Sequence, residues 1–413
     1  MFIKLALKSL LNRKGSVVLT LMAMTISVFV LLAVEHIRYQ AKENFAKTVS
    51  GVDLIVGART GSLNLLLYSV FRIGSPTNNI AWESFKQIAN NPQVKWAIPI
   101  TLGDSHKGYR VMGTTKPYFE YFSYGNQHKL KFDQGSAFNQ VFDVVLGSDV
   151  AKELGYSTGD AIILSHGLAS TSFSLHDDRP FTVTGILEPT GTPVDQTLHV
   201  SLEGIEAIHI NWRQGVKMPG NKMTEEQIEQ LELKPKSVTA LMLGLKSRMA
   251  TFHVQREINQ SVREPLLAIL PGVALSELWQ MMNILENTLL LVAILVFVAA
   301  LLGLSAMLLS SIRYREAEIR LLRVVGAPSV FLFFLIQIET LMITIVSLIL
   351  GAGILAISLA VAQDFLISRF GLPVSSNILS ESAAYYALGI IAASIVIAII
   401  PSLKAYSKAK INI

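Results

Sequence analysis

The stretch Arg313-Tyr-Arg-Glu-Ala-Glu-Ile-Arg-Leu-Leu-Arg-Val-Val-Gly-Ala327 lies between two long apolar runs, Asn287–Ile312 and Val330–Ala362. A helix needs about 20 apolar residues to cross a bilayer, so both runs can span and the stretch reads as a short connection between spans. Its own pattern is helical: Ala317, Leu321 and Val324/Val325 recur at i, i+4 and i+7/i+8 as an apolar stripe. Arg313, Arg320 and Arg323 fall largely off that stripe, and Glu316 reaches Arg320 at i, i+4. Gly326 is a stop signal and Pro328 prevents easy continuation. The result is a basic amphipathic helix along the membrane surface. It reads either as an anchor that only sets topology or as a docking helix for a cytoplasmic partner. A shorter Lys/Arg loop would serve the first role, which favours the second.

Working outward, the 413 residues are 51% hydrophobic with a mean hydropathy of +0.47, too apolar for a soluble chain and too polar for one that is all membrane. Ser16–Val34, Asn287–Ile312 and Ala383–Ile400 carry no charge, and Val330–Ala362 carries a single one, Glu339. The expected fold is an integral membrane α-helical protein with four transmembrane helices and a large α+β extracytoplasmic domain between the first and second. The segments are a cytoplasmic amphipathic helix over 1–15, a first span over 16–34 and a periplasmic domain with helical stalks at both ends over 35–286. A second span follows over 287–312, a coupling helix over 313–328 and a third span over 329–362. A short periplasmic loop over 363–382, a fourth span over 383–400 and a cytoplasmic tail over 401–413 complete the chain.

Charge sets the orientation. The N-terminal segment, the 313–327 stretch and the C-terminal tail hold 11 bases against 2 acids, whereas residues 35–286 hold 23 bases and 25 acids. By the positive-inside rule both termini and the central connection are cytoplasmic, and the large domain is outside. The pI near 9.2 comes from that asymmetry and does not point to nucleic acid. The first apolar run is too long for a cleaved signal peptide and has no small-residue cleavage pattern after it. The chain has no cysteine, which excludes a disulfide framework and thiol chemistry.

In residues 2–12, Phe2, Leu5, Ala6 and Leu10 share one face, as in a helix lying on the inner leaflet. After Val34 no Gly or Pro interrupts the chain to Val49, so the first span continues outward as a stalk. Val52–Val56 reads as a buried strand, Leu63–Phe71 as core or as a hydrophobic surface near the membrane or a substrate, with core favoured, Ala81–Asn90 as a helix, and Val94–Ile98 and Tyr109–Met112 as strands. Val144–Leu146, Ala161–Leu164, Phe181–Leu187, Thr197–Val200 and Val238–Leu245 read as strands, with helices over Ser148–Leu154 and Leu202–Ile210. Residues 214–236 read as a polar excursion, and Thr251–Leu270 as a helix interrupted at Pro265. From Leu275 the chain runs without breakers into the second span as a second stalk.

Catalytic chemistry has little footing. There is no GxxxxGK[ST] phosphate cradle, no GxSxG and no HExxH, and the eight histidines show no metal-ligand spacing. His176-Asp177-Asp178 reads as a solvated loop. Glu339 reads either as an ion-pathway carboxylate or as a structural partner for Gln337, Thr340 or a base of the loop. No second intramembrane charge continues a relay, which favours the structural role. Gly351, Ala352 and Gly353 permit close helix approach.

Three motifs in order resemble those of permeases of the MacB/LolC/FtsX type, the type VII ABC transporter group. Glu316-Ala-Glu-Ile-Arg-Leu-Leu-Arg-Val-Val-Gly-Ala327 is similar to the family's E-I-G-x-L-R-A-L-G-A, with Arg320 where Gly is usual. Val144-Val-Leu-Gly-Ser-Asp-Val-Ala-Lys-Glu-Leu-Gly-Tyr-Ser-Thr-Gly-Asp160 resembles its periplasmic signature, and Pro401-Ser-Leu-Lys-Ala405 its closing P-x-x-x-A. Glu339 stands where the family often has Glu. The resemblance implies a non-catalytic permease subunit in the bacterial inner membrane, working as a dimer with a second copy or a paralogue. Two separate cytoplasmic ABC ATPase subunits would bind ATP and Mg, so this chain holds no cofactor of its own. Arg315, Glu316, Ile319, Leu321, Leu322, Arg323 and Gly326 would dock the ATPase; Glu339, Gly351 and Gly353 would serve packing and coupling. The implied work is lipoprotein extraction or adaptor-linked efflux, with a periplasmic adaptor, lipoprotein or hydrolase as a further partner beside membrane lipids. The alternative is a membrane scaffold that regulates a periplasmic enzyme in FtsX fashion without transport.

Overall fold

The computed structural model describes residues 2–48, 50–166, 179–210, 212–213, 216–217, 233–314, 328–370 and 381–411. The chain divides into a helical unit of Met1–Ala41, Met282–Phe365 and Val374–Ile413 and a soluble unit of Lys42–Met281 and Leu366–Pro373. The helices are α1 (Phe2–Leu11), α2 (Lys14–Lys47), α3 (Ser62–Ser69), α4 (Trp82–Ala89), α5 (Pro117–Tyr121) and α6 (Ser148–Leu154). They continue as α7 (Leu202–His209), α8 (Thr251–Asn259), α9 (Pro271–Tyr314), α10 (Ser329–Phe370) and α11 (Glu381–Ile411).

Four of them, α2, α9, α10 and α11, are long and apolar enough to cross a membrane. α2 has 34 residues and α9 has 44. At 1.5 Å per residue they run about 51 and 66 Å, well beyond the ~30 Å of a hydrocarbon core. No breaker interrupts either one, as the sequence pattern implies, although α9 begins at Pro271 rather than Leu275. Two helix ends differ from expectation. α11 continues through Pro401 to Ile411, with Ser402 and Ala405 buried, so this proline does not stop the helix. α10 runs on to Phe370, through residues read as a loop.

The soluble unit is built on one mixed sheet. Its longer strands are β1 (Leu54–Ala58), β2 (Val94–His106), β3 (Tyr109–Thr114), β4 (Phe132–Gly135), β5 (Asp143–Leu146), β6 (Phe181–Leu187), β7 (Thr197–Ser201), β8 (Ala240–Leu245) and β9 (Leu266–Ile269), and two short ones, Ala161–Ile162 and Ser165–His166, pair with β6 and β2. They lie in the order β9-β1-β8-β2-β3-β7-β5-β6-β4; β7 runs parallel to β3 and β6 parallel to β5. β2 is the joint. Its first half pairs with β8 and its second half with β3, so one 13-residue strand makes a continuous sheet of two halves that read separately in the sequence.

Alternation along the strands sorts side chains onto two faces. One face carries Ile55, Ile98, Ile100, Met112, Val145 and Met242, covered by Leu65, Leu66 and Tyr68 of α3 and by Tyr118 and Phe119 of α5. On the other face, Val56, Leu241, Leu243 and Ala268 lie under α4 and α8, whereas Val111, Val144, Leu198 and Val200 lie with residues of α6 and α7. The Leu63–Phe71 run is thus core, as its composition implies. Residues 251–270 are corrected: α8 ends at Asn259, and Leu266–Ile269 is an edge strand antiparallel to β1. Four apolar residues after Pro265 fit a strand as well as a helix, and the open edge of β1 decides between them. Most of the 214–236 excursion lies outside the described residues.

Candidate functional site

The expected ATPase dock, Arg315, Glu316, Ile319, Leu321, Leu322, Arg323 and Gly326, lies outside the described residues, as does His176-Asp177-Asp178. Its flanks are described. α9 ends with Arg313 and an exposed Tyr314, and α10 opens with the Phe331 amide donating to the Pro328 carbonyl at 2.9 Å.

Glu339 is the most enclosed charge in the helical unit, 1% exposed within α10. Its partner is neither of the two residues read beside it. Thr340 donates to the Ile336 carbonyl of its own turn at 2.9 Å, and Gln337 donates to the Ile395 carbonyl of α11 at 3.4 Å. The Arg13 guanidinium donates to Glu339 Oε2 at 3.3 Å and to Ser9 Oγ at 3.1 Å, and the Ser9 hydroxyl donates to Glu339 Oε1. Arg13 sits in the turn between α1 and α2, so three segments meet at one carboxylate. A buried pair like this is costly to break: removing one partner leaves an uncompensated charge, at about 3–5 kcal/mol.

This junction orders α1. Ala6, Ser9 and Leu10 face the protein, whereas Lys4, Leu7, Lys8 and Leu11 face outward. The apolar face read from the sequence is therefore split: part of it is used for packing within the chain.

From Arg13 onward, α2 and α10 share a seam. Arg13 meets Glu339, the Ser347 hydroxyl reaches the Leu21 carbonyl at 3.5 Å, and both contacts are separated by 326 positions. Gly351 lies against Thr25 at the same offset; a Cβ there would sit 3.2 Å from the Thr25 carbonyl, 3.2 Å from the Phe29 amide nitrogen and 3.0 Å from Val28 Cγ1. A constant offset means that the two helices run in the same direction, side by side. Glycine at 351 lets the backbones approach this closely. Gly353 has nothing within 4 Å of its would-be Cβ, so among the described residues it makes no such contact. α2 also touches α9, where the Ser27 hydroxyl lies 3.4 Å from the Val296 carbonyl. Further along α2, Glu35 is 5% exposed and pairs with Arg38 at 3.2 Å.

Ser9, Arg13 and Glu35 were not singled out in the sequence. Ser9 stands within α1 and Arg13 in a basic turn that topology alone explains, and nothing local ties them to a residue 326 or more positions away.

In the soluble unit the segment Val144–Asp160 folds as β5, α6 and a turn. Gly147 lies under the Val194 and Asp195 carbonyls, where a Cβ would be 2.3 Å from either oxygen. Gly155 ends α6 in the left-handed conformation, at φ 69°. Around α6 the acids crowd. Burial, then repulsion from Asp195 and Glu153, pushes the Asp149 carboxyl up to about 6, with the Gln196 side chain and Lys152 opposing. Burial also raises Asp195, opposed by Thr190 N and Oγ1 and Gly191 N, which donate to it at 2.7–3.0 Å. Tyr109 hydrogen-bonds Glu153 and is raised, mainly by burial. On the opposite face of the sheet, burial and then Arg72 push His199 down to about 3, so it stays neutral under Tyr118. Among the described residues no group of three or more His, Asp or Glu is placed to hold a metal ion.

Two solved structures are similar to the chain. The periplasmic region of MacB from Actinobacillus actinomycetemcomitans shares 10% identity with a TM-score of 0.36, over 57% of this chain and 94% of that one. The extracellular domain of the noncanonic ABC-type transporter YknZ from Gram-positive bacteria shares 10% identity with a TM-score of 0.31, over 53% and 98%. No curated protein matches the chain. Residues 17–260, more than half of the 413, match the model of the MacB-like periplasmic core domain, and residues 290–410 match that of the FtsX-like permease C-terminal region. With a MacB-like core between its first two spanning helices and an FtsX-like region over the rest, the chain belongs to the MacB/FtsX family of ABC transporter permeases.

Proposed function

We propose that this permease couples ATP hydrolysis by a separate cytoplasmic ATPase subunit to movement of its soluble domain, in the service of lipoprotein extraction or adaptor-linked efflux. The observation that carries the reading is the length of α2 and α9. Each is far longer than a bilayer requires and each is unbroken, so a displacement at the membrane end need not be absorbed before the helix ends. Both termini and the 313–327 connection are cytoplasmic in this reading. The parallel course of α2 and α10 fits a first and a third span of an alternating bundle, and the excess of bases in the termini and the connection supports the side assigned to them.

The ATPase docks on the connection through the apolar stripe containing Ile319, Leu321 and Leu322, with Arg315, Glu316 and Arg323 beside it and Gly326 ending the helix. Leu321→Asp tests this. The substitution leaves all four arginines of the connection in place, so topology should hold, while a carboxylate without a partner in the interface should cost several kcal/mol. The expected result is loss of ATPase co-purification in detergent, with expression and tag accessibility unchanged. ATPase recovered at the wild-type level would mean that the connection is not the dock.

A further inference from the structure

Arg13 stands outside every motif that carries the family resemblance, yet it closes the α2–α10 seam. A seam of apolar side chains resists separation better than sliding. At Gly351 there is no side chain to interlock, and the Ser347–Leu21 contact is long at 3.5 Å. A directional, charged contact at the end of the seam fixes its register. Slippage by one turn would bring Leu335 or Ile343 opposite Arg13 and leave Glu339 buried among apolar neighbours, an expensive state for an ionised group.

We infer that Arg13 is a positioning residue: with Ser9 and Glu339 it locks α1, α2 and α10 into one body. Glu339 lies ten residues into α10 from Ser329, about 15 Å along the helix. Beyond Ser329 is the 313–327 connection. A push on the connection that moves α10 therefore moves α2 as well, through the lock rather than around the chain. The lock itself rests on the geometry; its role in relaying a push rests on the docking function proposed above.

The absence of cysteine allows labels to be placed uniquely. Spin labels at Leu11→Cys in α1 and Phe334→Cys in α10, both about half exposed, report the α1–α10 distance in the full chain in nanodiscs. The expected result is one narrow distance in the parent, its loss in R13Q and its retention in R13K, which keeps the charge. If R13Q cannot be purified, E339Q, which keeps volume and hydrogen bonding but not charge, should show the same loss. The reversed pair R13E/E339R should recover the narrow distance, which a merely structural role for either side chain would not produce. A narrow distance in R13Q or E339Q equal to the parent's overturns the lock. In a second arm, in the complex carrying its native ATPase, the distance between Ile37→Cys in α2 and Ile357→Cys in α10 should stay the same on adding ATP, because the two helices move together. In R13Q that distance should change on adding ATP while hydrolysis continues, and a distance that changes equally in both chains would overturn the relay. A wild-type chain that brings down no ATPase would count against the proposed function, whereas the first arm would still decide the lock.

Discussion

Glu339 in the helical unit and Asp149 in the soluble unit are both carboxylates withdrawn from water, and their surroundings treat them in opposite ways. Glu339 is far more enclosed, yet a guanidinium and a hydroxyl converge on it from another part of the chain. Asp149 is only half-buried, yet its nearest charged neighbours include Asp195 and Glu153, and its carboxyl is held up to about 6. The depth of a charge therefore says little about its cost. The balance of what has been placed beside it decides: a guanidinium and a hydroxyl converge on Glu339, whereas beside Asp149 burial and two acids outweigh Lys152.

The sharpest way to break the contrast is Glu339→Ala. It takes the carboxylate away from the Arg13 guanidinium, and a loss of about 3–5 kcal/mol is expected, seen as a large drop in melting temperature in detergent. An unchanged melt would show that the pair is not a buried one in the membrane. A smaller effect is expected from Gly351→Val on the same seam. The added atoms meet Val28 and the backbone of Thr25 and Phe29, an overpacking worth about 1–3 kcal/mol, whereas Gly353→Val, in open space, should melt close to wild type. Equal destabilisation by both would remove the seam as the explanation.

The smallest effect should come from Asp149→Asn, and it should depend on pH. Because the folded-state pKa of Asp149 lies above its ordinary value of 3.8, the folded chain holds this proton more tightly than the unfolded one. Its contribution to stability is full below about pH 3.8 and is lost as pH rises through about 6. Asp149→Asn should thus raise stability at pH 7, by less than about 2 kcal/mol once solvent screening of the half-exposed carboxyl is allowed for, and the gain should vanish near pH 4. Melting curves of both chains at the two pH values check this; a gain of equal size at pH 4 would remove the charge argument.

Much of the fold was legible because its signals are local. Spans declare themselves by length without charge, and β1, β5, β6, β7 and β8 by apolar runs bounded by turn residues. Legibility ended where pairing replaces composition. The second half of β2, Gly103-Asp-Ser-His106, does not look like a strand; it becomes one because β3 and Ser165–His166 offer partners. Within Phe132–Gly135, Asp133, Gln134 and Gly135 are exposed, and the segment is a strand through its pairing with β6. Pro401 looks like a stop and is not, since α11 is already committed on both sides of it. At the functional site Glu339 was visible as an anomaly and Arg13 was not, because a lone acid in an apolar run stands out and a base in a basic turn does not.

The register of β1 with β9 has a consequence for how such a chain can be rearranged. Ile55, eight residues after α2 stops with Lys47, sits opposite Ile269, two residues before α9 starts at Pro271. The first and last strands of the inserted domain are hydrogen-bonded neighbours, so the two ends of the insertion are held about 5 Å apart whatever lies between them. A domain with that property is a cassette. It could be exchanged for another of different size or binding specificity at the Ile55–Ile269 pair while the separation of the two helices at that point stays the same, and a shared membrane machine could in this way be fitted to unrelated cargo.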